Sequence, residues 1–183
     1  YMTSDQCLAA TDRIIEVQQR KLASGDIWVN WQADEPFVNK AIIDDLFKGV
    51  ESSNADIWTL KTLIKEKKLI ENPNIAKVVC DQRSRALYFS RNPIPYLRAG
   101  EKTDYYKHVG LYAYKDAALS QIKDFSPSEL ERAESLEQLR FLEGGLSIHV
   151  NETHEETLGI DLPEHLLAAE EYAKKYLNHL LPV

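Results

Sequence analysis

The sequence predicts an α/β domain in which helices flank a largely parallel sheet. Short β-rich runs alternate with segments of helical periodicity along most of the chain. The apolar fraction of 44% and the charged fraction of 28% are ordinary for a globular protein. A length of 183 residues is sufficient for one well-packed core. We therefore expect a single domain over residues 1–183.

The individual elements follow from periodicity and from the polar or turn residues that bound each run. The predicted strands are residues 27–31, 57–64, 76–81, 86–90, 108–114 and 147–150. The predicted helices are residues 11–22, 40–50, 116–122, 128–142 and 163–180. Thr11, Ser128 and Asp161 are candidate N-caps, and the pair Gly144 and Gly145 predicts a helix C-terminus.

Residues 57–114 depart from this alternation, because they contain four predicted strands and hardly a helix. We interpret residues 65–68 as a solvated hairpin tip. A strand-rich insertion of this size is too small to fold alone, so it must pack on the main sheet or on another subunit. We expect a homodimer built mainly from this insertion, with Tyr96, Tyr105 and Tyr106 as exposed aromatics.

Composition excludes several classes of protein. The net charge of −7 argues against a nucleic-acid surface. No run approaches the roughly 20 apolar residues of a membrane span. Cys7 and Cys80 lack the spacing of a metal site or a disulfide framework, so we predict free thiols in the cytoplasm. Because the chain begins with Tyr1 rather than Met, we expect that its natural start lies upstream.

Polar groups follow the first predicted strand directly. Gln32, Asp34 and Glu35 come after an apolar run, at the strand end where ligands bind in open α/β sheets. Two adjacent carboxylates repel each other unless a cation or strong donors offset them. Asp34 is therefore a candidate ligand for magnesium, although a solvated turn is the simpler interpretation. Asp161 follows Gly159 and is a second candidate, with a helix N-cap as its simpler interpretation.

Four other polar residues are candidates with equally plain alternatives. His108 fits a satisfied buried histidine, and Arg91 fits a charge that protects a sheet edge. Glu137 and Gln138 lie opposite apolar positions of a predicted helix, which also suits a solvent-facing role. The chain has no nucleophile elbow, zinc spacing or glycine-rich phosphate loop.

A series of motifs along the chain resembles one family. In order they are "MTSDQCLAATDR", "VNWQADEP", "NIAKVVCD", "ALYFSRNPIP", "KHVGLYAY", "ESLEQLRFLEGG" and "GIDLPEHL". They are similar to the motifs of the 3-deoxy-manno-octulosonate cytidylyltransferases, also called CMP-Kdo synthetases. The resemblance covers essentially the whole chain. It implies a three-layer fold like that of the nucleotide-diphospho-sugar transferases.

The resemblance also implies a reaction and a site. Such enzymes join CTP to the acidic sugar 3-deoxy-manno-octulosonate (Kdo) and release pyrophosphate, for lipopolysaccharide assembly. By this resemblance, Asp34 and Asp161 would hold magnesium against the triphosphate and the sugar. The positions that would line the substrate pocket are Gln32, Arg91, His108, Tyr112, Glu137 and Gln138.

The chain departs from the family pattern in three respects. Ala33 stands where the family has glycine, and Leu162 stands where it has threonine. The family's N-terminal strand and its basic, glycine-containing CTP loop are absent from these residues. We therefore expect weak CTP binding by residues 1–183 alone. Two alternatives remain open: a non-catalytic dimerising relative or fragment, and a nucleotidyltransferase of the same fold for another acidic sugar.

Overall fold

The computed structural model describes residues 1–7, 9–100, 102–155, 159–160 and 163–176. In this part of the chain the elements are, in order, α1 (Ala10–Gln19), β1 (Ile27–Asn30), α2 (Lys40–Phe47), β2 (Ile57–Leu63), α3 (Lys67–Ile70), β3 (Lys77–Cys80), β4 (Ala86–Ser90), β5 (Tyr106–Lys115), α4 (Asp116–Ile122), α5 (Glu129–Glu134), α6 (Gln138–Glu143), β6 (Ile148–Glu152) and α7 (Pro163–Tyr176).

The sheet is organised around its longest described strand, β5. The strand order is β4-β3-β5-β2-β6, and β1 pairs with β5 beside β3. Four of the five strand pairs are antiparallel, and only β2 and β6 are parallel neighbours in the described residues. The predicted α/β class with flanking helices is confirmed. The expectation of largely parallel pairing is wrong, because β5 runs against the strands on both of its sides.

One edge of β5 is interrupted. Strand β1 pairs with residues 112–115 of β5, and β3 reaches β5 only at Lys107. Residues 108–111, a span of roughly 13 Å at about 3.3 Å per residue, therefore pair with neither strand. The same stretch carries a bulge, since Thr59 of β2 pairs with Tyr112 while Leu60 pairs with Val109. We call residues 108–111 and the space beside them the β5 notch.

Helices cover both faces of the sheet, as alternation along β5 requires. Val109, Leu111 and Ala113 pack with α2, whose Ile42 and Leu46 are fully buried. Side chains of the opposite parity pack on the other face with residues of α1, α4 and α6, which include Ile15, Leu119, Ile122, Leu139 and Phe141. The domain therefore has three layers, with the sheet between two layers of helices.

Two predicted helix boundaries are confirmed and one is wrong. Ser128 caps α5, because its hydroxyl accepts the N–H of Glu131 at 3.2 Å. Gly144 ends α6, and Gly145 follows with φ +84°. Thr11 is not a cap, since α1 begins after Ala9 and the Thr11 hydroxyl is buried.

Three further predictions about helices have different outcomes. The single helix predicted over residues 128–142 is two helices, because Ser135 adopts a left-handed conformation with φ +52°. The predicted hairpin tip at residues 65–68 instead begins the short helix α3. Asp161, the third proposed cap, and residues 177–180 of the last predicted helix lie outside the described residues. Among the described helices, none has the length and apolarity that a bilayer span requires.

The end of α6 gives the first testable prediction. A Cβ at Gly144 would lie closer than 3.0 Å to three ring carbons of Phe125. We expect Gly144→Ala to lower the free energy of unfolding by about 1–3 kcal/mol, because the Phe125 ring must leave its packed position. Gly25→Ala is the matched control, since its Cβ would meet only the Ile27 carbonyl at 3.5 Å. Urea unfolding of the two variants compares them, and equal midpoints would contradict the packing.

Candidate active site

The β5 notch opens into a cavity of about 330 Å³. Its walls come from segments that are distant in sequence: the loop after β1, the segment before β3, the notch itself and single residues from elsewhere. These are Gln32, Asp34, Glu35, Asn74, Ile75, Ala76, Arg91, Lys107, His108, Val109, Gly110, Leu136 and Gly159. Because no strand fills the notch, loops from both sides converge on it. We call this space the notch cavity.

A second cavity, of about 590 Å³, lies on the other side of the loop after β1. Ala10, Arg13 and Ile14 of α1 form its far wall. We call it the α1 cavity. Gln32 and Asp34 line both cavities, so the loop that carries them is the partition between the two spaces.

Asp34 has a buried oxygen with no protein partner. Its Oδ1 is buried and accepts no hydrogen bond from the described residues. Its backbone carbonyl accepts the N–H of Ile160 at 2.8 Å, so Ile160 is bonded to this loop. An unpartnered buried carboxylate oxygen is costly. The atom is therefore suited to a cation or a donor that the polypeptide does not supply.

The loop after β1 is fixed locally and from a distance. The N–H of Glu35 donates to the Gln32 carbonyl at 3.1 Å, which closes the turn. The ring of Phe37 packs against Tyr172 of α7 with centroids 4.7 Å apart. The Asn39 amide donates to Glu155 at 2.8 Å. These contacts hold Asp34 at the partition.

His108 is held neutral in the notch. Its Nε2 lies 2.9 Å from the Thr59 hydroxyl, which also contacts the carbonyls of Val109 and Leu111 at 3.1 and 2.9 Å. The tautomer of His108 sets the direction of this bond: with Nε2 protonated the ring donates to the Thr59 hydroxyl, and with Nδ1 protonated the hydroxyl donates to Nε2. Burial lowers the pKa of His108 to about 3. The interpretation as a satisfied histidine is confirmed by the bond to Thr59, but the ring is only partly buried, because it also lines the cavity.

Tyr112 lies behind His108. Its ring centroid is 5.3 Å from that of His108 and 5.6 Å from that of Tyr114, and its side chain is buried in the core. Burial, with smaller effects of Tyr114 and Glu137, raises its pKa well above the ordinary value. Tyr112 therefore supports the notch from behind and is not part of the cavity wall.

Arg91 lines the cavity but uses most of its guanidinium within the protein. Nε donates to the Glu134 carbonyl at 2.6 Å, and the two terminal nitrogens donate to the carbonyls of Pro73 and Ser135 at 2.9 and 3.1 Å. A guanidinium has five N–H donors, so two remain for a ligand. The edge-charge interpretation is wrong, because these bonds tie β4 to two loops.

Glu137 is the N-cap of α6, and Gln138 is the first residue of that helix. Gln138 is 4% exposed, so the alternative interpretation that it faces solvent is wrong. The carboxylate of Glu137 accepts bonds from the Thr11 hydroxyl at 2.9 Å and from Arg140 at 2.8 Å. Burial raises the pKa of Glu137, although the Thr11 bond and Arg140 oppose the shift. The Nε2 of Gln138 is buried and unpaired in the described structure. Neither residue is part of the notch cavity wall.

Magnesium fits this site through few protein ligands. Among the described residues, no three His, Cys, Asp or Glu side chains form a metal-binding group. Magnesium often needs only one or two carboxylates, because substrate phosphates and water complete its coordination. The buried, unpaired Oδ1 of Asp34 meets that requirement. Asp161, the second predicted ligand, lies outside the described residues.

Sequence comparison identifies the family. Residues 1–148 match the family model described as "Cytidylyltransferase". The chain belongs to the cytidylyltransferase family. Two curated members are named 3-deoxy-manno-octulosonate cytidylyltransferase. The protein from Koribacter versatilis is 43% identical over 171 residues, which cover 93% of this chain and 64% of that protein. The protein from Porphyromonas gingivalis is 40% identical over 182 residues, covering 94% of this chain and 72% of that protein.

Solved structures extend the comparison. A CMP:2-keto-3-deoxy-manno-octonic acid synthetase complexed with CTP has a TM-score of 0.89 and 36% identity, covering 96% of this chain and 72% of that chain. A putative glucose-1-phosphate thymidylyltransferase from Bacillus anthracis has a TM-score of 0.63 at 16% identity, covering 95% and 64%, and shows the fold alone. The chain spans about two thirds of the length of its curated relatives.

Asn74 and Leu136 lie in the cavity wall and were not candidates from the sequence. Asn74 belongs to the segment before β3, and Leu136 lies between α5 and α6. Both are loop residues far apart in sequence, and only the sheet topology brings them to β5. No local pattern in the sequence indicates such a position.

The neutral His108 gives a pH prediction. An unfolded histidine binds a proton below its ordinary pKa of 6.5, whereas folded His108 stays neutral down to about pH 3. His108 therefore makes the free energy of unfolding fall as the pH decreases through this window, by up to about 1.4 kcal/mol per pH unit. We expect His108→Gln to remove this component, as measured by urea unfolding between pH 4.5 and 8.

The control is His154→Gln, because the His154 side chain is 90% exposed. This variant is expected to retain the pH dependence of the wild-type protein. Parallel curves for the wild type and His108→Gln would contradict a buried neutral imidazole.

Proposed function

We propose that this protein transfers CMP from CTP to the anomeric hydroxyl of Kdo and releases pyrophosphate, for lipopolysaccharide assembly. The relatives named 3-deoxy-manno-octulosonate cytidylyltransferase support this activity, as does the similar synthetase structure complexed with CTP. Because the chain spans about two thirds of those relatives, the proposal concerns the protein to which these residues belong.

The observation that carries the proposal is the position of Asp34. Its buried, unpaired oxygen belongs to the partition between two cavities, each with its own cationic side chain. The α1 cavity contains Arg13 and suits the phosphates of CTP, whereas the notch cavity contains Arg91 and suits an acidic sugar. Two substrates that react with each other require adjacent sites of this kind.

We further propose that Asp34 and Asp161 together hold magnesium. Ile160 directly precedes Asp161 in the chain, and its N–H donates to the Asp34 carbonyl at 2.8 Å. This contact supports the proposal that the two aspartates share one metal ion. The bound cation would neutralise triphosphate charge and lower the pKa of the attacking hydroxyl. The fit rests on the orphaned Oδ1 of Asp34.

The chain's own side chains would orient the sugar. Arg91 retains two N–H donors for a carboxylate, and Nδ1 of His108, the ring nitrogen not bonded to Thr59, is left to form a hydrogen bond with a sugar hydroxyl. Gln32 lines both cavities, so it would contact the substrate bound in either of them. Orientation of this kind and neutralisation of charge supply most of the rate enhancement in phosphoryl-type transfer.

We propose a homodimer through the β4 edge of the sheet. Leu87 of β4 is 59% exposed, and Tyr96 and Leu97 of the following loop are 86% and 42% exposed. These exposed apolar residues lie on the strand at one end of the sheet order and in the loop after it, and a second copy would cover them. Tyr105 does not contribute, contrary to the expectation from sequence, because it is buried and its hydroxyl donates to the Pro95 carbonyl at 2.9 Å. Tyr106 is partly buried under the Lys61 ammonium.

We propose that the protein acts in the cytoplasm. Cys7 and Cys80 are both free thiols, as a reducing compartment would keep them. The substrates named above fit the same compartment, since CTP is a cytoplasmic metabolite.

The proposed activity is tested by pyrophosphate release from CTP with a panel of acidic keto sugars, using the whole protein to which these residues belong. We expect turnover with Kdo and magnesium. Asp34→Asn and Asp161→Asn should each reduce turnover by at least 100-fold, and the double variant should be little worse than either, because one metal needs both carboxylates. Additive losses would argue against a shared metal.

The matched control for this experiment is Asp44→Asn, since Asp44 is an exposed carboxylate that pairs with Lys40 on α2. It should retain activity. Turnover with another acidic sugar but not with Kdo would show that the protein is a nucleotidyltransferase for that other sugar. Absence of turnover with every sugar, in a protein that melts cooperatively, would favour a non-catalytic relative.

The dimer is tested by light scattering at micromolar concentration. We expect twice the chain mass for the wild type and a monomer for the double variant Tyr96→Glu with Leu97→Glu, because buried like charges oppose association. Phe47→Glu is the control, since Phe47 is a 38% exposed apolar residue on α2, which packs on β2 and β5. A monomeric wild-type protein would rule out the proposed interface.

A further inference from the structure

Lys77, the first residue of β3, has a fully buried ammonium group. Its Nζ donates to the carbonyls of Asn72 and Ile75 at 3.0 and 2.7 Å, and also to the carbonyl of Arg91. Burying a charge is costly unless its hydrogen bonds are satisfied. Three carbonyl acceptors require three N–H donors, which only the protonated amine provides.

Lys77 and Arg91 hold the same segment from two sides. Lys77 binds the carbonyls of Asn72 and Ile75, while the Arg91 guanidinium binds the intervening carbonyl of Pro73. The next residues of this segment, 74–76, form a wall of the notch cavity. Since Lys77 also binds the Arg91 carbonyl, one ammonium fixes both the wall and the arginine that lines the cavity.

The charges around this group favour an anionic ligand. The carboxylate of Glu134 lies next to Arg91. It accepts hydrogen bonds from the Ser90 hydroxyl at 2.7 Å and from the backbone N–H of Arg91 at 2.8 Å. Lys77, Arg91 and Glu134 together carry a net charge of about +1 on this side of the cavity, whereas Asp34, Glu35 and Lys107 in its other walls together carry about −1. Burial and the neighbouring Arg91 lower the pKa of Lys77, and Glu134 opposes this shift.

We propose that Lys77 is a positioning residue for the acidic ligand of the notch cavity, acting through the backbone of residues 72–75 and through Arg91. It fixes the cavity wall, and its buried charge favours a ligand carboxylate. The identity of the ligand as a sugar acid rests on the function proposed above. The ordering of residues 72–76 by Lys77 does not depend on that function.

The experiment compares Lys77→Met with Lys123→Met in the whole protein to which these residues belong. Met has a similar length without the charge, and Lys123 is an exposed lysine at the end of α4, so both variants lose one positive charge. The first measurement is amide hydrogen exchange without ligand. We expect exchange of residues 72–76 to become at least tenfold faster in Lys77→Met and to stay unchanged in Lys123→Met.

The second measurement is calorimetry with Kdo, with its methyl ester and with magnesium CTP. We expect Lys77→Met to weaken Kdo binding by about tenfold, to affect the neutral ester less, and to leave CTP binding unchanged. A purely structural role would weaken all three ligands equally, together with a general rise in exchange, and would overturn the proposal.

The two proposals fail in distinguishable ways. If the wild-type protein binds no Kdo but Lys77→Met still accelerates exchange of residues 72–76, the function is wrong and the positioning by Lys77 stands. Unchanged exchange in Lys77→Met overturns the positioning whatever the ligand. If Lys77→Met does not melt cooperatively, Lys77→Ala is assayed with n-propylammonium, which should restore slow exchange. Equal restoration by n-propanol would overturn the requirement for charge.

Discussion

The interruption of pairing along β5 is the constraint on which the rest of the structure depends. Between Lys107 and Tyr112 this strand pairs with neither β1 nor β3, although the N–H of His108 donates to the carbonyl of Ala76 at 2.8 Å, and a bulge occupies the same stretch. Unpaired backbone at the centre of a sheet must be covered by loops or ligands. The loop after β1 and the segment before β3 both end at this gap, which is why one location collects chemically useful side chains.

Buried polar groups surround the gap, and most of them are satisfied by the protein itself. His108 is bonded to Thr59, and Lys77 is bonded to three carbonyls. Satisfied groups of this kind make the walls rigid, because the loss of any one bond leaves a buried partner unpaired. Asp34 and Gln138 differ, since each has a buried polar atom without a partner in the described structure. Of these two residues Asp34 lines both cavities and Gln138 lines neither, so the Oδ1 of Asp34 is the atom left available to a ligand.

The sequence predicted most strands well, because alternation of apolar residues is a local signal. The predicted β4 and α4 coincide with the observed elements, and β2 differs at one end only. The predicted helix over residues 128–142 failed at Ser135, whose left-handed conformation is stabilised by tertiary contacts, since its carbonyl accepts a bond from Arg91. The prediction of parallel pairing was wrong for a similar reason, because long-range contacts decide which strands become neighbours in the sheet.

By itself the sequence determined the layers of helix and sheet, the carboxylate that follows β1 and the family resemblance, because each depends on a short local pattern of residues. It did not determine which polar residues face a ligand. Arg91 and Glu137 matched family positions, yet the structure bonds Arg91 to three carbonyls and Glu137 to Thr11 and Arg140. The tertiary structure decided this, because hydrogen-bond partners distant in sequence become neighbours only when the sheet has formed and loops have converged on β5.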